Sequence, residues 1–279
     1  MQDNIIKTWF ITGASKGLGL ALVKQLLAAG QNVAATSRNI NELTKAVGTA
    51  TKNFLPLQVN LADDTSVKQA IEQTNTTFGS VDVLINNAGY GIGGSFEELT
   101  DAEIRTAFDV NVFGTINTIR HALPYMRQQQ SGHIINISSI AGFSAATGWA
   151  PYAATKFAIT GLTEVLADDV KSFGIKATVV APGAFRTSFL TDDSLALPQT
   201  PIAAYADIRV SHERYLTMNG QQAGDPEKAA AVMIETGFNP NPPVHLFLGS
   251  DAYKRAVLKI ESLTKEIESL KELTTSTDY

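Results

Sequence analysis

The stretch TWFITGASKGLGLALVKQLLAAG, residues 8–30, decides the fold. A short apolar run leads into Thr12-Gly13-Ala14-Ser15-Lys16-Gly17-Leu18-Gly19, and a helical pattern follows as far as Gly30. Glycines between a strand and a helix allow a tight turn and direct free N–H groups toward a phosphate. The spacing G-x-x-x-G-x-G is a variant of the stricter G-x-G-x-x-G pattern. Its place between the first strand and the first helix favours a nucleotide site over a purely structural turn.

Short apolar runs and longer amphipathic segments alternate along the rest of the chain. Helical patterns cover residues 18–29, 64–78, 101–127 and 152–173. This alternation predicts right-handed crossovers and a parallel sheet covered on both faces, which is a doubly wound, Rossmann-type α/β fold. We expect one domain over residues 1–279 with about seven strands, at Thr8–Thr12, Val33–Ser37, Phe54–Val59, Val81–Asn86, His133–Ser138, Ala177–Ala181 and Val244–Leu248.

Two segments depart from the alternation. Residues 188–225 contain aromatic and aliphatic side chains without a clear strand and follow the sixth strand at the ligand edge. They are predicted to form a substrate lid, and the alternative is an ordinary helical excursion on the surface. Residues 251–279 are predicted to form a helical extension that packs on the domain or on a second subunit. Their apolar pattern covers only three heptads, which are too few to require a coiled coil.

Composition excludes several classes of function. The 279 residues carry a net charge of -5, which disfavours nucleic acid and anionic membranes as partners. There is no cysteine, and the four histidines lack ligand spacing, so no metal is expected. Neither a cleavable leader nor an apolar stretch near 18 residues is visible. The sequence predicts a cytoplasmic protein with a small or neutral partner.

The end of the second strand indicates which nucleotide binds. An NAD-selective site places a carboxylate about 20 residues after the glycines, to accept a hydrogen bond from the ribose 2′-hydroxyl. Here the chain reads Thr36-Ser37-Arg38. The Arg38 guanidinium could bind a 2′-phosphate, and Lys16 could add a second positive charge. The predicted cofactor is therefore NADP(H), and a solvated surface arginine is the competing interpretation.

Tyr152 and Lys156 are candidates for the chemistry. They lie four residues apart at the start of a helical pattern, so they share one face. A nearby ammonium can lower a phenol pKa by roughly 1 to 3 units, which favours general acid–base catalysis. Any surface helix could carry the same pair without a function.

These residues together resemble the short-chain dehydrogenase/reductase family, in its single-domain branch, over about residues 5–250. The loop at 12–19 is similar to the family's cofactor loop, Asn86-Asn87-Ala88-Gly89 to its NNAG motif, and Pro182-Gly183 to the segment lining the nicotinamide. Asn111, Ser139, Tyr152 and Lys156 match its catalytic set. Ser139 is preferred to Ser138 because it precedes Tyr152 by the usual 13 residues. Asn60 departs from the aspartate common near the adenine, so altered contacts are expected there.

The resemblance implies a role for each residue. Tyr152 would transfer the proton, Ser139 would bind the substrate oxygen, Lys156 would hold the tyrosine pKa down and bind the nicotinamide ribose, and Asn111 would anchor a water. Local alternatives are that Ser139 caps a turn, Asn111 satisfies backbone groups and Asn87 shapes a loop. The expected cofactor-binding residues are Gly13, Ser15, Lys16, Gly17, Leu18, Gly19, Ser37, Arg38, Asn60, Leu61, Asn87, Ala88, Gly89, Tyr152, Lys156, Pro182, Gly183 and Thr187.

The expected substrate is a hydrophobic ketone, aldehyde or secondary alcohol. An apolar pocket is predicted from Phe143, Ala145, Trp149, Phe185 and Phe189. The runs at 224–230 and 245–253 resemble the hydroxysteroid-dehydrogenase-like, broad carbonyl-reductase group. Alternatives are a 3-oxoacyl thioester (acyl-carrier) reductase and a non-catalytic NADP-binding sensor. The resemblance also implies a homodimer or homotetramer formed through residues 101–127 and 152–173.

Overall fold

Neighbouring residues of the first strand point into two separate apolar cores. In the computed structural model, which describes residues 5–48 and 50–279, Trp9 and Ile11 are buried in one core and Phe10 in the other. In a neighbouring strand, Val83 and Leu84 divide in the same way. Both faces of these strands are covered, which explains why they read as continuous apolar runs.

The described strands form one main sheet and one small ribbon. Their bounds are β1 Thr8–Ile11, β2 Asn32–Ser37, β3 Phe54–Gln58, β4 Val83–Asn86, β5 Gly91–Ile92, β6 Gly132–Ile137, β7 Ile175–Pro182, β8 Leu195–Ala196 and β9 His245–Leu248. The main sheet has the order β3-β2-β1-β4-β6-β7-β9, with every pair parallel. The predicted doubly wound α/β sheet of about seven strands is confirmed. The order reverses between β1 and β4, where such sheets bind their ligands.

Helices cover both faces of the sheet. Their bounds are α1 Gly17–Ala28, α2 Ile40–Val47, α3 Asp64–Phe78, α4 Asp101–Phe108, α5 Gly114–Gln129, α6 Ala150–Asp169, α7 Ala206–Thr217, α8 Pro226–Phe238, α9 Ser250–Ser269 and α10 Lys271–Thr275. Apolar residues of α1, α2 and α8 fill the core on one face. Residues of α3, α5 and α6 fill the core on the other face.

The predicted helix over residues 101–127 contains one wider turn. Helices α4 and α5 are joined by a π-helical turn at Asp109–Phe113, and the backbone stays helical through both junctions. Asn111 lies in this turn and is buried. An extra residue in a helical turn is often found at functional sites. Here it turns the Asn111 amide toward the loop that follows β4.

A buried polar network joins the middle of the sheet to both helices on one face. Asn86 of β4 donates to the Asn136 side chain over 2.9 Å, and Asn136 of β6 donates to the Thr163 hydroxyl over 2.9 Å. The Thr118 hydroxyl donates to Asn86 over 2.5 Å. These side chains are buried, and each shows a partner for its polar group. The network links α5, β4, β6 and α6 directly below the candidate site.

The segment at 188–225 contains more structure than its sequence indicated. It was expected to hold no clear strand, but Leu195–Ala196 pairs in parallel with Gly91–Ile92. Helix α7 follows at Ala206–Thr217. A two-residue strand is too short to show any periodicity. The ribbon holds the segment against the loop after β4.

The predicted C-terminal helix is present as α9 and α10. Only its first turns pack on the domain, where Ala252 and Ala256 are buried beside Ile140. Residues 260–279 are exposed. Among the described helices, none combines the length and the apolar character needed to cross a bilayer.

Candidate active site

The glycine loop after β1 fits closely against the loop after β4. A Cβ on Gly13 would lie 2.7 Å from Ala88 Cα, and one on Gly19 would lie 2.4 Å from Gly13 O. Gly17 has φ +57, a conformation that favours glycine. A larger residue would therefore not fit at Gly13 or Gly19 of this loop, which we call the cradle. The free backbone N–H groups of the cradle lie at the start of α1. The predicted cofactor loop has the backbone that a dinucleotide phosphate requires.

Asn87 fixes the shape of this cradle. Its side-chain amide donates to the carbonyl oxygens of Thr12 and Gly13, both over 3.0 Å. In return, the backbone N–H groups of Asn87 and Ala88 donate to the Thr12 hydroxyl, both over 3.0 Å. These hydrogen bonds correspond to the local alternative considered for Asn87, which is that it shapes a loop.

The other predicted cofactor residues line the same edge of the sheet. Arg38 and Lys16 are exposed, and neither side chain forms a hydrogen bond or ion pair with residues 5–48 or 50–279. Asn60 is exposed after β3, and the Leu61 carbonyl accepts a hydrogen bond from Asn117 over 3.0 Å. Thr187 lies 3.5 Å from the position of a Cβ on Gly17. The remaining ones nearby are Ser15, Leu18, Ser37 and Gly89, which are partly buried or exposed.

Tyr152 and Lys156 lie one turn apart near the start of α6, and both are buried. The Lys156 ammonium donates to the Ile137 carbonyl over 2.9 Å, so it is tied to the end of β6. Its Nζ lies 5.8 Å from the centre of the Tyr152 ring. A Cβ on Gly89 would lie 3.4 Å from the same Nζ. The loop after β4 therefore passes directly over the lysine.

Burial controls the ionisation of this pair. It raises the pKa of Tyr152 to about 12, although a hydrogen bond with Ser139 acts in the opposite direction. It also lowers the pKa of Lys156 to about 8. The spacing had predicted a tyrosine pKa lowered by Lys156, but burial raises that pKa. Both groups lose water, and the loss of solvation opposes the charged form of each.

The two neighbouring serines have different environments. The Ser138 hydroxyl is buried and donates to the Lys156 carbonyl over 2.8 Å. Ser139 is partly exposed, accepts the Ala141 N–H over 3.1 Å and lies close enough to Tyr152 to lower its pKa. Ser139 is therefore the serine beside the phenol, and it also caps the short turn that follows.

The Asn111 amide holds the loop after β4 against α6. Its Oδ1 accepts the Tyr90 N–H over 3.0 Å, and its Nδ2 donates to the Tyr90 carbonyl over 3.0 Å. The Nδ2 also donates to the Thr155 hydroxyl over 3.2 Å. These contacts correspond to the local alternative considered for Asn111, which is that it satisfies backbone groups. They also bring the Asn111 side chain beside Gly89 and Lys156.

An apolar cluster surrounds the Tyr152 ring. Trp149 and Phe189 lie 6.3 and 5.7 Å from it, measured between ring centres. Tyr215 and His212 of α7 both pack on Trp149, with ring centres 5.1 Å apart. Tyr215 was expected only as one of the aromatic residues of the predicted lid. The sequence did not single out His212, nor Ile92 and Leu195 of the ribbon, which complete the cluster. Glycines at positions 91, 93 and 94, which leave room for such close packing, were the available signal.

Three predicted pocket residues lie outside this cluster. Phe143 packs on Phe247, with ring centres 5.2 Å apart, in the core beneath α9. Phe185 packs against the core on the α1 face and beside Gly224. Ala145 is exposed. An aromatic residue in a loop has no periodicity to show its direction, so sequence alone could not separate these from Trp149 and Phe189.

Glu98 fastens the segment at 188–225 to the body of the domain. Its buried carboxylate accepts the N–H of Ile202 over 2.9 Å and pairs with Arg209 over 2.8 Å. The Ser95 N–H and hydroxyl donate to the same group. Burial raises the pKa of Glu98, but the hydrogen bonds and Arg209 outweigh it and hold that pKa at about 2. The carboxylate is therefore charged at neutral pH.

The family model described as short chain dehydrogenase matches residues 7–196, which is more than half of the chain. The chain belongs to the short-chain dehydrogenase family. This short-chain dehydrogenase is 35% identical over 268 residues to oxidoreductase BOA17 of Botryotinia fuckeliana, covering 96% of this chain and 97% of that protein. It is 36% identical to a 3-ketodihydrosphingosine reductase of Bacteroides thetaiotaomicron, covering 89% of each.

Solved structures agree with this assignment. A short-chain dehydrogenase from Streptomyces avermitilis superposes with a TM-score of 0.91 at 35% identity, over 99% of this chain and 100% of that one. ElxO with NADP bound superposes with a TM-score of 0.74 at 26% identity, over 90% of this chain and 100% of the other. This short-chain dehydrogenase is an oxidoreductase, and the NADP bound in ElxO agrees with the predicted cofactor.

Proposed function

We propose that the enzyme reduces a hydrophobic ketone or aldehyde with NADPH, and oxidises the corresponding secondary alcohol in reverse. The observation that carries this proposal is the apolar cluster of Trp149, Phe189 and Leu195 around the Tyr152 ring. A pocket with apolar walls and few polar groups suits an apolar substrate whose single carbonyl is oriented by hydrogen bonds. Ser139 and Tyr152 are the polar groups at this point.

Tyr152 donates the proton in reduction. A phenol with a pKa of about 12 is fully protonated at neutral pH, so it is ready to protonate the emerging alkoxide. The Ser139 hydroxyl donates a hydrogen bond to the substrate oxygen as negative charge develops there. Bound NADPH supplies the hydride.

Lys156 and Asn111 support the proton donor. Because the lysine pKa is about 8, its ammonium can carry a proton at neutral pH and give it up at modest cost. Asn111 holds the Tyr90 backbone beside Lys156 and keeps that side of the site in place. The proton lost by Tyr152 is replaced through the side of the site that contains Lys156 and Asn111.

Residues 188–225 act as the lid. Phe189 and Tyr215 contribute aromatic rings to the cluster, and the Glu98 anchor fixes the segment over it. The lid excludes water from the reacting carbonyl. Within residues 1–279, this makes one catalytic domain with a lid and a C-terminal helical extension.

We also propose that two copies pair through the surface of α5 and α6. Phe113 of the π turn that precedes α5, and Phe157 and Val165 of α6, are exposed large apolar residues. A cluster of this kind on a monomer supports a protein interface.

A carbonyl panel with NADPH tests the proposed function. Aryl ketones and a long-chain ketone such as 3-ketodihydrosphingosine represent the proposed class, and acetoacetyl thioesters represent an acyl-carrier reductase. We expect faster turnover of the apolar ketones. Faster turnover of the thioesters would favour the acyl-carrier activity. Tight NADPH binding without turnover of any member would favour a sensor.

A further inference from the structure

We propose that Asp251 is a positioning residue for the segment Pro182–Gly183–Ala184, and so for the nicotinamide end of the cofactor. This inference rests on the proposed cofactor site. Asp251 lies in the first turn of α9, and no catalytic or binding role was assigned to it above. Its Oδ2 accepts the Ala184 N–H over 2.9 Å. It therefore holds the backbone that follows the end of β7.

The contact is close on both sides of the carboxylate. A Cβ on Gly183 would lie 2.1 Å from Asp251 Oδ1, so only glycine lets the segment approach. Gly249, with φ +97, would carry a Cβ 2.8 Å from the same oxygen. Two glycines thus leave room for one carboxylate, and the Gly183 N–H is already used by Leu248 O over 2.8 Å. The Ala184 N–H has Asp251 as its partner.

The next turn of α9 also contacts the loop that follows the candidate serine. Arg255 donates to the Ser144 carbonyl, five residues beyond Ser139. The start of α9 therefore links the segment after β7 with the loop after β6. A shift at Asp251 would move one wall of the site relative to Ser139 and Tyr152. Misplacement by about 1 Å can lower a rate by about a hundredfold.

A displaced Pro182–Gly183–Ala184 segment should affect the turnover rate more than the affinity for the cofactor. The phosphates and the adenosine end would be held by the glycine loop after β1 and by Arg38 after β2, whereas Asp251 contacts the segment after β7. We expect Asp251→Ala to lower kcat by about tenfold or more, with less than about a threefold change in the KM for NADPH. Arg38→Ala should show the opposite pattern. These two patterns separate failure of this inference from failure of the cofactor assignment.

Two further variants separate positioning from general stability. Asp251→Asn keeps a carbonyl oxygen that can accept the Ala184 N–H, so it should restore most of kcat. Asp82→Ala is the matched control, because Asp82 accepts the Thr8 N–H over 2.7 Å at the opposite edge of the sheet. We expect it to lower the Tm and leave kcat unchanged.

A measurement without cofactor or substrate completes the test. Amide hydrogen exchange of the ligand-free protein should accelerate over residues 182–187 in Asp251→Ala and stay unchanged there in Asp82→Ala. If Asp251→Ala only lowers the Tm, with kcat and local exchange as in the wild type, the positioning role is wrong. If Asp251→Asn is as impaired as Asp251→Ala, the hydrogen bond to Ala184 is not what positions the segment.

Discussion

The Nζ of Lys156 lies 5.8 Å from the centre of the Tyr152 ring and donates to the Ile137 carbonyl, not to the phenol. The two side chains share a buried site in which burial opposes the ionised form of each. The tyrosine therefore stays protonated and the lysine releases its proton easily. This relationship suits a proton donor and determines how the site responds to pH.

Lys156→Met should change the pH dependence of stability. The lysine pKa is about 8 in the folded protein and 10.5 as a free side chain. Between these values the unfolded chain holds a proton that the folded chain lacks, so the wild-type free energy of unfolding rises with pH relative to the variant. We expect a relative gain of about 2 kcal/mol between pH 7 and 10. Denaturant unfolding at both pH values measures it, and parallel curves would contradict the lowered pKa.

Tyr152→Phe should remove the proton donor and leave the packing in place. We expect kcat to fall by about 10² to 10⁴-fold, with NADPH affinity changed by less than about twofold. Steady-state rates and NADPH fluorescence titration measure the two effects. Tyr215→Phe makes the same change in the same aromatic cluster and should keep kcat near the wild-type value. Comparable turnover in Tyr152→Phe would remove this residue from the mechanism.

Arg38→Ala should reduce the preference for NADPH over NADH. Loss of a charge-assisted hydrogen bond to the 2′-phosphate should raise the KM for NADPH by about 10- to 100-fold. The KM for NADH should change little, since NADH lacks that phosphate. Kinetics with both cofactors provide the comparison within one variant. Equal changes for both would mean that Arg38 is only a solvated surface residue.

Glu98→Gln should loosen residues 188–225. The carboxylate pKa of about 2 implies stabilisation that is complete above pH 4.5 and is lost as the pH falls toward 2. At neutral pH we expect faster trypsin cleavage in this segment and a higher KM for the ketone. Glu103→Gln is the matched control, because the Glu103 carboxylate also accepts hydrogen bonds, but only from Thr100, outside this segment, among its described contacts. Similar cleavage of both variants would argue against the anchor.

Val165→Glu should separate the proposed pair of subunits. The side chain is 62% exposed on α6, so a carboxylate there should not disturb the fold but would be buried at a subunit contact. We expect the solution mass to fall by half, measured by light scattering. Leu258→Glu, at 63% exposure on α9, is the control and should keep the wild-type mass. A monomeric wild-type protein would rule out the interface.

The strands and the glycine loop were predictable because the residue types themselves record the constraint. Buried parallel strands read as apolar runs, and the glycines at 13 and 19 are required by contacts within a few residues of β1 and β4. The helix carrying Asn111 was also predicted, although its π turn was not, because one extra residue hardly disturbs a helical pattern.

Sequence predicted less well which residues line the pocket. It also did not predict the direction of the pKa shift of Tyr152. His212 and Tyr215 reach Trp149 through long-range packing of α7. Phe143 and Phe185 lie in other cores. The pKa direction of Tyr152 depends on how much water surrounds it, whereas the spacing to Lys156 reports only proximity. The catalytic and cofactor roles of the individual residues stay predictions for the variants above.

The paired amides of Asn86 and Asn136 carry a consequence for how the chain reaches its native structure. They stand opposite each other in the alignment of β4 with β6. A slip by one residue would separate them and break the hydrogen bond between the two buried amides. Misaligned pairings of these central strands are therefore penalised early, and the catalytic edge above them is assembled on a single permitted register.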